Sequence, residues 1–387
     1  MSIKINTNDA KTLVAIDQHA RTSTLYAIDK QTGELKSKRF TNCPRYTEFI
    51  DWLDTWASKP YYFAYESGPC GFTLARNLRA ANHACDVIAV SSIPRSTKDK
   101  VMKDDFLDAR SLLAAIEAKS SALSCVYVPS VFAEDARDVV RQYYHLSKNL
   151  RRAKQFLSAH LLRHDFVYDE KTKAGRPKKM WTCDHERWLQ NVKLETEFQR
   201  DVLVAAYDEV QELTLQVRDA MRKVEELAKA PEFAKYVDCF CAIKGVGVLT
   251  AVTFCAEIDD FSRFKKGRSI ASYIGLVPKR HNSGDSHRNG AINKCGDKTL
   301  RRALIEGFSA VSNFSARSVD RRVLGKLPLE VRTEIEKVNK RIVNRYKTLK
   351  ANGKNHNVIK VALAKEAACQ MLYIAQKLDR LEANCRL

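Results

Sequence analysis

Four carboxylates and one hydroxyl in this chain have the residue types and spacing that phosphodiester chemistry needs. Asp17 closes the apolar run TLVAID, Glu66 closes YYFAYE just before Gly68, Pro69 and Gly71, and Asp105 and Asp108 stand three apart in DDFLDARSLLAAIEA. Hard oxygen donors suit Mg²⁺ or Mn²⁺, and two such ions about 3.5 to 4 Å apart clamp the attacking and leaving oxygens of a phosphodiester. The hydroxyl is Ser283, followed by Gly284, beside which backbone and ligand can approach closely. From Arg263 to Leu304 eleven Lys or Arg stand against two Asp, a net of +9. Lys279, Arg280, Arg288, Lys294, Lys298, Arg301 and Arg302 are the cations nearest the serine, so a hydroxyl among phosphate-binding groups is a candidate nucleophile. Ser-Gly is also an ordinary turn, and an Asp at a strand end or helix start is also an ordinary cap. Local sequence leaves both readings open.

The acids need a scaffold. Residues 11–40 read as a three-stranded meander (KTLVAIDQH, STLYAID and ELKSKRF), with Gln31-Thr32-Gly33 as a turn. Residues 44–57 put Phe49, Leu53 and Trp56 on one helical face. YYFAYES is a fourth strand, FTLARNLRAANHA a helix and CDVIAVSS a fifth strand. This order predicts a ribonuclease H-like α/β domain over 1–130. If the first and fourth strands pair in parallel, Asp17 and Glu66 emerge at the same edge, and the i,i+3 spacing puts Asp105 and Asp108 on one helix face.

Residues 131–230 predict long helices. Val139, Tyr143, Leu146, Leu150, Ala153 and Leu157 form one heptad-like seam; Leu203, Ala206, Val210, Leu213, Val217, Ala220, Val224 and Leu227 form another. Such helices pack as an antiparallel hairpin or against a second subunit, and we expect a protruding arm that also dimerises. Between them lies a basic insertion, KTKAGRPKKMW, near His160, His164 and Trp188. Its Gly and Pro predict a loop, and Lys171, Lys173, Arg176, Lys178 and Lys179 suit a sugar-phosphate backbone or a solvated surface. Residues 231–387 predict a mainly helical region. There Gly245 and Gly247 sit between apolar helical segments, as in helix-hairpin-helix turns whose N–H groups meet DNA phosphates.

Composition narrows the class of partner. The chain has 387 residues, 45% of them hydrophobic, and a formal charge of +20. That charge points to a polyanion, and to nucleic acid before an anionic membrane. No run of eighteen apolar residues and no signal-peptide core are present, so we expect a cytoplasmic protein without a membrane partner. Eleven Cys without a CxxC pair fit reduced thiols, and the Cys239-x-Cys241 pair has no His/Cys partner at zinc spacing.

The motifs AIDQH, YESG and KDDFLDAR, followed by IKGVGVLTA, FKKGRSIASYIGLVP, NSG and INKCGDKTLRRAL, resemble the DEDD-type transposases of bacterial insertion sequences. That family includes Piv-like DNA invertases and bridge-RNA-guided recombinases. The resemblance spans most of the chain. It implies a RuvC-like N-terminal domain with Asp17, Glu66, Asp105 and Asp108 as its metal-binding tetrad, and Ser283 as the catalytic serine of a C-terminal transposase domain. It also implies target and donor DNA as substrates, a guide RNA encoded by the element, and dimers that pair into a tetramer. Two other readings share these residues. One is a RuvC-like nuclease whose acids activate water; the other is a non-catalytic nucleic-acid-binding protein derived from a transposase.

Overall fold

The computed structural model describes residues 7–93, 105–118, 123–283, 286–309, 324–325 and 327–385, with the side chains of 105–108, 280–289 and 385 outside the description. The chain divides into two compact units, 1–129 and 130–387.

The first unit is a mixed α/β sheet. Its elements are β1 (Thr12–Gln18), β2 (Ser23–Asp29), β3 (Leu35–Phe40), α1 (Tyr46–Asp54), β4 (Tyr61–Glu66), α2 (Thr73–Ala80), β5 (Ala84–Ile88), α3 (Asp105–Glu117) and β6 (Cys125–Val126). The sheet order is β3-β2-β1-β4-β5-β6. β1 runs antiparallel to β2 and parallel to β4, and β4 is parallel to β5. The near-continuous apolar runs of β1 and β4 follow from burial on both faces. Val14, Ile16, Phe63 and Tyr65 pack with Phe49 and Leu53 of α1 and Leu74 and Leu78 of α2. Leu13, Ala15, Tyr62 and Ala64, one residue out of phase, pack with Leu112, Leu113 and Ile116 of α3.

In the second unit α4 (Val131–Arg163), α5 (Cys183–Asn191) and α6 (Glu197–Lys229) are followed by α7 (Ala234–Cys241), α8 (Val248–Ile258) and α9 (Gly267–Tyr273). Then come β7 (Pro278–Ser283), β8 (Ser286–Ile292), α10 (Lys298–Gly307), α11 (Leu329–Ala351) and α12 (His356–Cys385). Helices α4 and α6 pack on one another in antiparallel sense within the chain. Val140 shares a core with Val224 at one end, and Leu157 and Leu161 share another with Leu203, Ala206 and Val210. On α4 the buried residues near the start are Ala133, Ala136, Arg137, Val140 and Tyr144; the expected Val139 and Tyr143 are only partly buried against the core. The reason is that this stretch also packs on α8. Arg137 Nε donates to the Ala256 carbonyl at 2.8 Å, and Arg141 Nη2 lies 3.0 Å from Glu257 Oε1.

Candidate active site and cationic surface

Asp17 and Glu66 are brought together by strand register. The parallel pairing of β1 and β4 aligns Ile16 with Tyr65, so the next residue of each strand is one of the two acids. Alternation puts both on the side of Leu13, Ala15, Tyr62 and Ala64, the side covered by α3. The Asp17 side chain is mostly buried, and its Oδ2 lies 3.1 Å from His19 Nε2. Asp105 is the first residue of α3 and Asp108 lies one turn on; their side chains fall outside the described residues. Among the described residues no three His, Cys, Asp or Glu side chains converge to hold a metal ion. Two hard carboxylates on adjacent strands, facing the helix that bears the other two, are a donor set that fits Mg²⁺ or Mn²⁺.

Ser283 ends a strand, which the polar character of its segment did not indicate. β7 and β8 form an antiparallel hairpin in which Ser283 pairs with Ser286 and His281 with Arg288. The available sequence signal was Gly284-Asp285, a two-residue spacer that opens with Gly, between segments that lack apolar alternation. The hairpin base is fixed firmly. Gly296 has φ +125°, and a Cβ there would come 1.9 Å from the Tyr273 carbonyl oxygen; one at Gly275, φ +77°, would come 2.5 Å from the Cys295 carbonyl oxygen. Asn293 N–H donates to the Val277 carbonyl at 2.9 Å, and Asp297 caps α10 by accepting from Leu300 N–H at 2.6 Å.

The cations around this hairpin differ in what holds them. Lys279, Lys294 and Lys298 are exposed. Arg301 Nη1 donates to the Ile274 carbonyl at 3.0 Å, tying α10 to the end of α9. Arg302 Nε lies 2.8 Å from Glu306 Oε1, and its guanidinium covers the Tyr144 ring at 4.7 Å. The side chains of Arg280 and Arg288 lie outside the described residues.

The turn between α7 and α8 is clamped from two sides. Gly245 has φ +88°, and its carbonyl would lie 2.2 Å from a Cβ on Gly307 of α10. Asn339 of α11 accepts from Lys244 N–H at 2.7 Å and donates to the Ala242 carbonyl at 2.9 Å. Gly247, the N-cap of α8, has open space where a side chain would stand.

In the insertion, Lys171, Lys173, Arg176 and Lys179 are exposed. Lys178 is not equivalent to them. Its Nζ lies 2.9 Å from Glu170 Oε2 and 3.0 Å from Asp184 Oδ2, and these hydrogen bonds raise its pKa. The fully buried His185 anchors the segment. It contacts the rings of Tyr168, Trp181 and Trp188 at 4.8, 5.1 and 5.6 Å. Burial pushes its pKa down, with Lys154 adding to the shift and Glu186 opposing it. No described helix is long and apolar enough to cross a membrane.

Known proteins resemble the chain in both units. Residues 14–165 match the DEDD-type transposase model of the IS110 group, and residues 237–323 match the model described as "Transposase IS116/IS110/IS902 family". A putative transposase, y4qE, of Sinorhizobium fredii is 32% identical over 318 residues, covering 82% of this chain and 75% of that protein. The transposase for insertion sequence element IS1533 of Leptospira borgpetersenii is 28% identical over 268 residues, covering 68% and 74%. The pilin gene-inverting protein of Moraxella bovis is 37% identical over 76 residues, 19% of this chain and 24% of that one. The extent of the Sinorhizobium match, together with the two family models, shows that this chain belongs to the DEDD-type insertion-sequence transposases, enzymes that cut and rejoin DNA.

Proposed function

We propose that the protein is an RNA-guided DNA recombinase that exchanges strands through a phosphoserine intermediate. The metal-assisted part of this reading is supported by the adjacency of Asp17 and Glu66 towards the carboxyl ends of the two central strands, on the side of the helix that begins at Asp105. In it, the first unit is a RuvC-like domain and Asp17, Glu66, Asp105 and Asp108 would hold Mg²⁺ or Mn²⁺, which when bound neutralises charge on the phosphoryl oxygens. Ser283 Oγ attacks the scissile phosphorus; one DNA strand leaves as a free hydroxyl and a DNA-phosphoserine ester remains. A hydroxyl from the second DNA attacks that ester and releases the serine. The ester conserves the bond energy, so rejoining requires no external source.

Donor and target DNA would be held by Lys279, Arg280, Arg288, Lys294 and Lys298 around the hairpin, and by the N–H groups of a helix-hairpin-helix-like turn at Gly245 and Gly247. Lys171, Lys173, Arg176 and Lys179 would extend that surface along the helical arm. Arg301, Arg302 and Lys178 have structural partners and would act by positioning their neighbours. The guide RNA, encoded by the element, rests on the resemblance of the motifs. Exchange between two DNAs needs more than one catalytic serine, which supports a dimer assembling to a tetramer, with α4 and α6 as a coiled-coil-like arm.

The test is covalent capture. End-labelled DNA incubated with the protein, its co-purified RNA and Mg²⁺ should yield label that migrates with denatured wild-type protein and not with Ser283→Ala. An adduct that survives Ser283→Ala would identify a different nucleophile. Cleavage without an adduct in either protein would instead identify a nuclease whose acids activate water.

A further inference from the structure

Helix α11 carries a cationic stripe that the chemistry above does not use. Its inner side is Val331, Ile335, Val338 and Ile342, all buried in the core of the second unit. On a flanking side Lys337, Lys340, Arg341, Asn344, Arg345 and Thr348 recur at three- and four-residue steps, and all are exposed. With the half-buried Leu349 they line an open trough of about 540 Å³. Between Lys337 and Thr348 the helix contains no carboxylate. Two of the stripe's cations are met by acids: Lys337 Nζ lies 3.1 Å from Oε1 of Glu334, one step earlier on the same row, and Arg341 Nε lies 2.6 Å from Glu366 Oε1 of α12. Lys340 and Arg345 have no ion pair among the described residues.

We propose that this face of α11 docks the sugar-phosphate backbone of duplex DNA. The eleven steps from Lys337 to Thr348 span about 16 Å at about 1.5 Å per residue, enough to meet several successive phosphates. Asn344 and Thr348 add neutral donors of the kind that fix phosphate oxygens without reading bases. The stripe has no aromatic ring on which an unpaired base would stack, which favours a duplex over a single strand. Among the described residues its one apolar side chain, Leu349, offers no surface for acyl chains. The stripe lies outside residues 14–165 and 237–323, the segments that match the transposase models. The proposal rests on the recombinase reading in taking DNA as the partner, and it assigns a contact that positions the duplex without touching the reacting phosphate.

The experiment uses the full chain and a short random-sequence fluorescent duplex, with affinity followed by anisotropy across a salt series. Lys340→Gln/Arg345→Gln should bind more weakly, and the slope of log affinity against log salt should become shallower by about 1.8, two phosphates at about 0.9 each. The charge-keeping swap Lys340→Arg/Arg345→Lys should retain both affinity and slope. Unchanged binding in the Gln variant, equal loss in the swap, or a loss confined to single-stranded RNA would each overturn the proposal. Failure of the recombinase reading would look different: no Ser283-dependent adduct, while duplex binding and its loss in the Gln variant persist. A wild-type protein that does not bind duplex DNA would overturn both.

Discussion

Ser283 and Ser286 are direct cross-strand partners, the last residue of β7 paired with the first of β8. The second serine is therefore a part of the scaffold that holds the first. Ser286→Ala keeps the backbone pairing and should leave adduct formation intact, whereas Ser283→Ala should abolish it. Ser286→Pro removes a backbone N–H from the ladder and should lower adduct yield although the Ser283 hydroxyl is still present. Equal yields from Ser286→Pro and wild type would show that the hairpin does not position the nucleophile.

Asp17→Asn and Glu66→Gln should each eliminate strand cleavage and leave duplex affinity unchanged. A neutral amide is a poor ligand for a hard cation, and neither change touches the cationic surface. Chelation of divalent cations should reproduce the loss in wild type. Cleavage at the wild-type rate by either variant would exclude a metal role for that residue.

The insertion should separate two kinds of lysine. Replacing Lys171, Lys173, Arg176 and Lys179 by Gln should weaken nucleic-acid binding at unchanged melting temperature, because exposed charge changes cost little stability. Lys178→Gln should do the opposite, since Glu170 and Asp184 lose their shared partner. Parallel melting and anisotropy measurements distinguish the outcomes; identical behaviour of all five positions would refute the distinction.

His185 should make the insertion sensitive to acid. Its folded pKa lies below the ordinary value of 6.5 because burial disfavours the charged ring. The stabilisation is complete above about pH 6.5 and is lost as the pH falls through the lowered folded value, since the unfolded state takes up the proton first. Tryptophan fluorescence reports this directly, as Trp181 and Trp188 contact the imidazole. His185→Phe should flatten the profile between about pH 7 and 5; an unaltered profile would assign the titration elsewhere.

Much of the first unit was legible in the chain itself. Hydrophobic period and turn residues are local properties, so β1, β2, β3 and β4 follow from runs such as TLVAID and YYFAYE, and the acids stand out because each ends such a run. The seam through Leu203, Ala206, Val210, Ala220 and Val224 was equally legible, because one helix face repeats whatever it packs against. Where two distant segments meet was left to tertiary structure. Parallel register set Asp17 beside Glu66, which no spacing of 49 residues dictates. Contacts over long separations also decided which cations are tied and which face solvent: Arg301 serves the Ile274 carbonyl and Arg341 meets Glu366, while Lys340 and Lys294 remain exposed. The β7–β8 hairpin escaped the pattern for the complementary reason. Its strands are polar, and their pairing depends on backbone hydrogen bonds and on the close approach of Gly296 to Tyr273, neither of which leaves an apolar period to read.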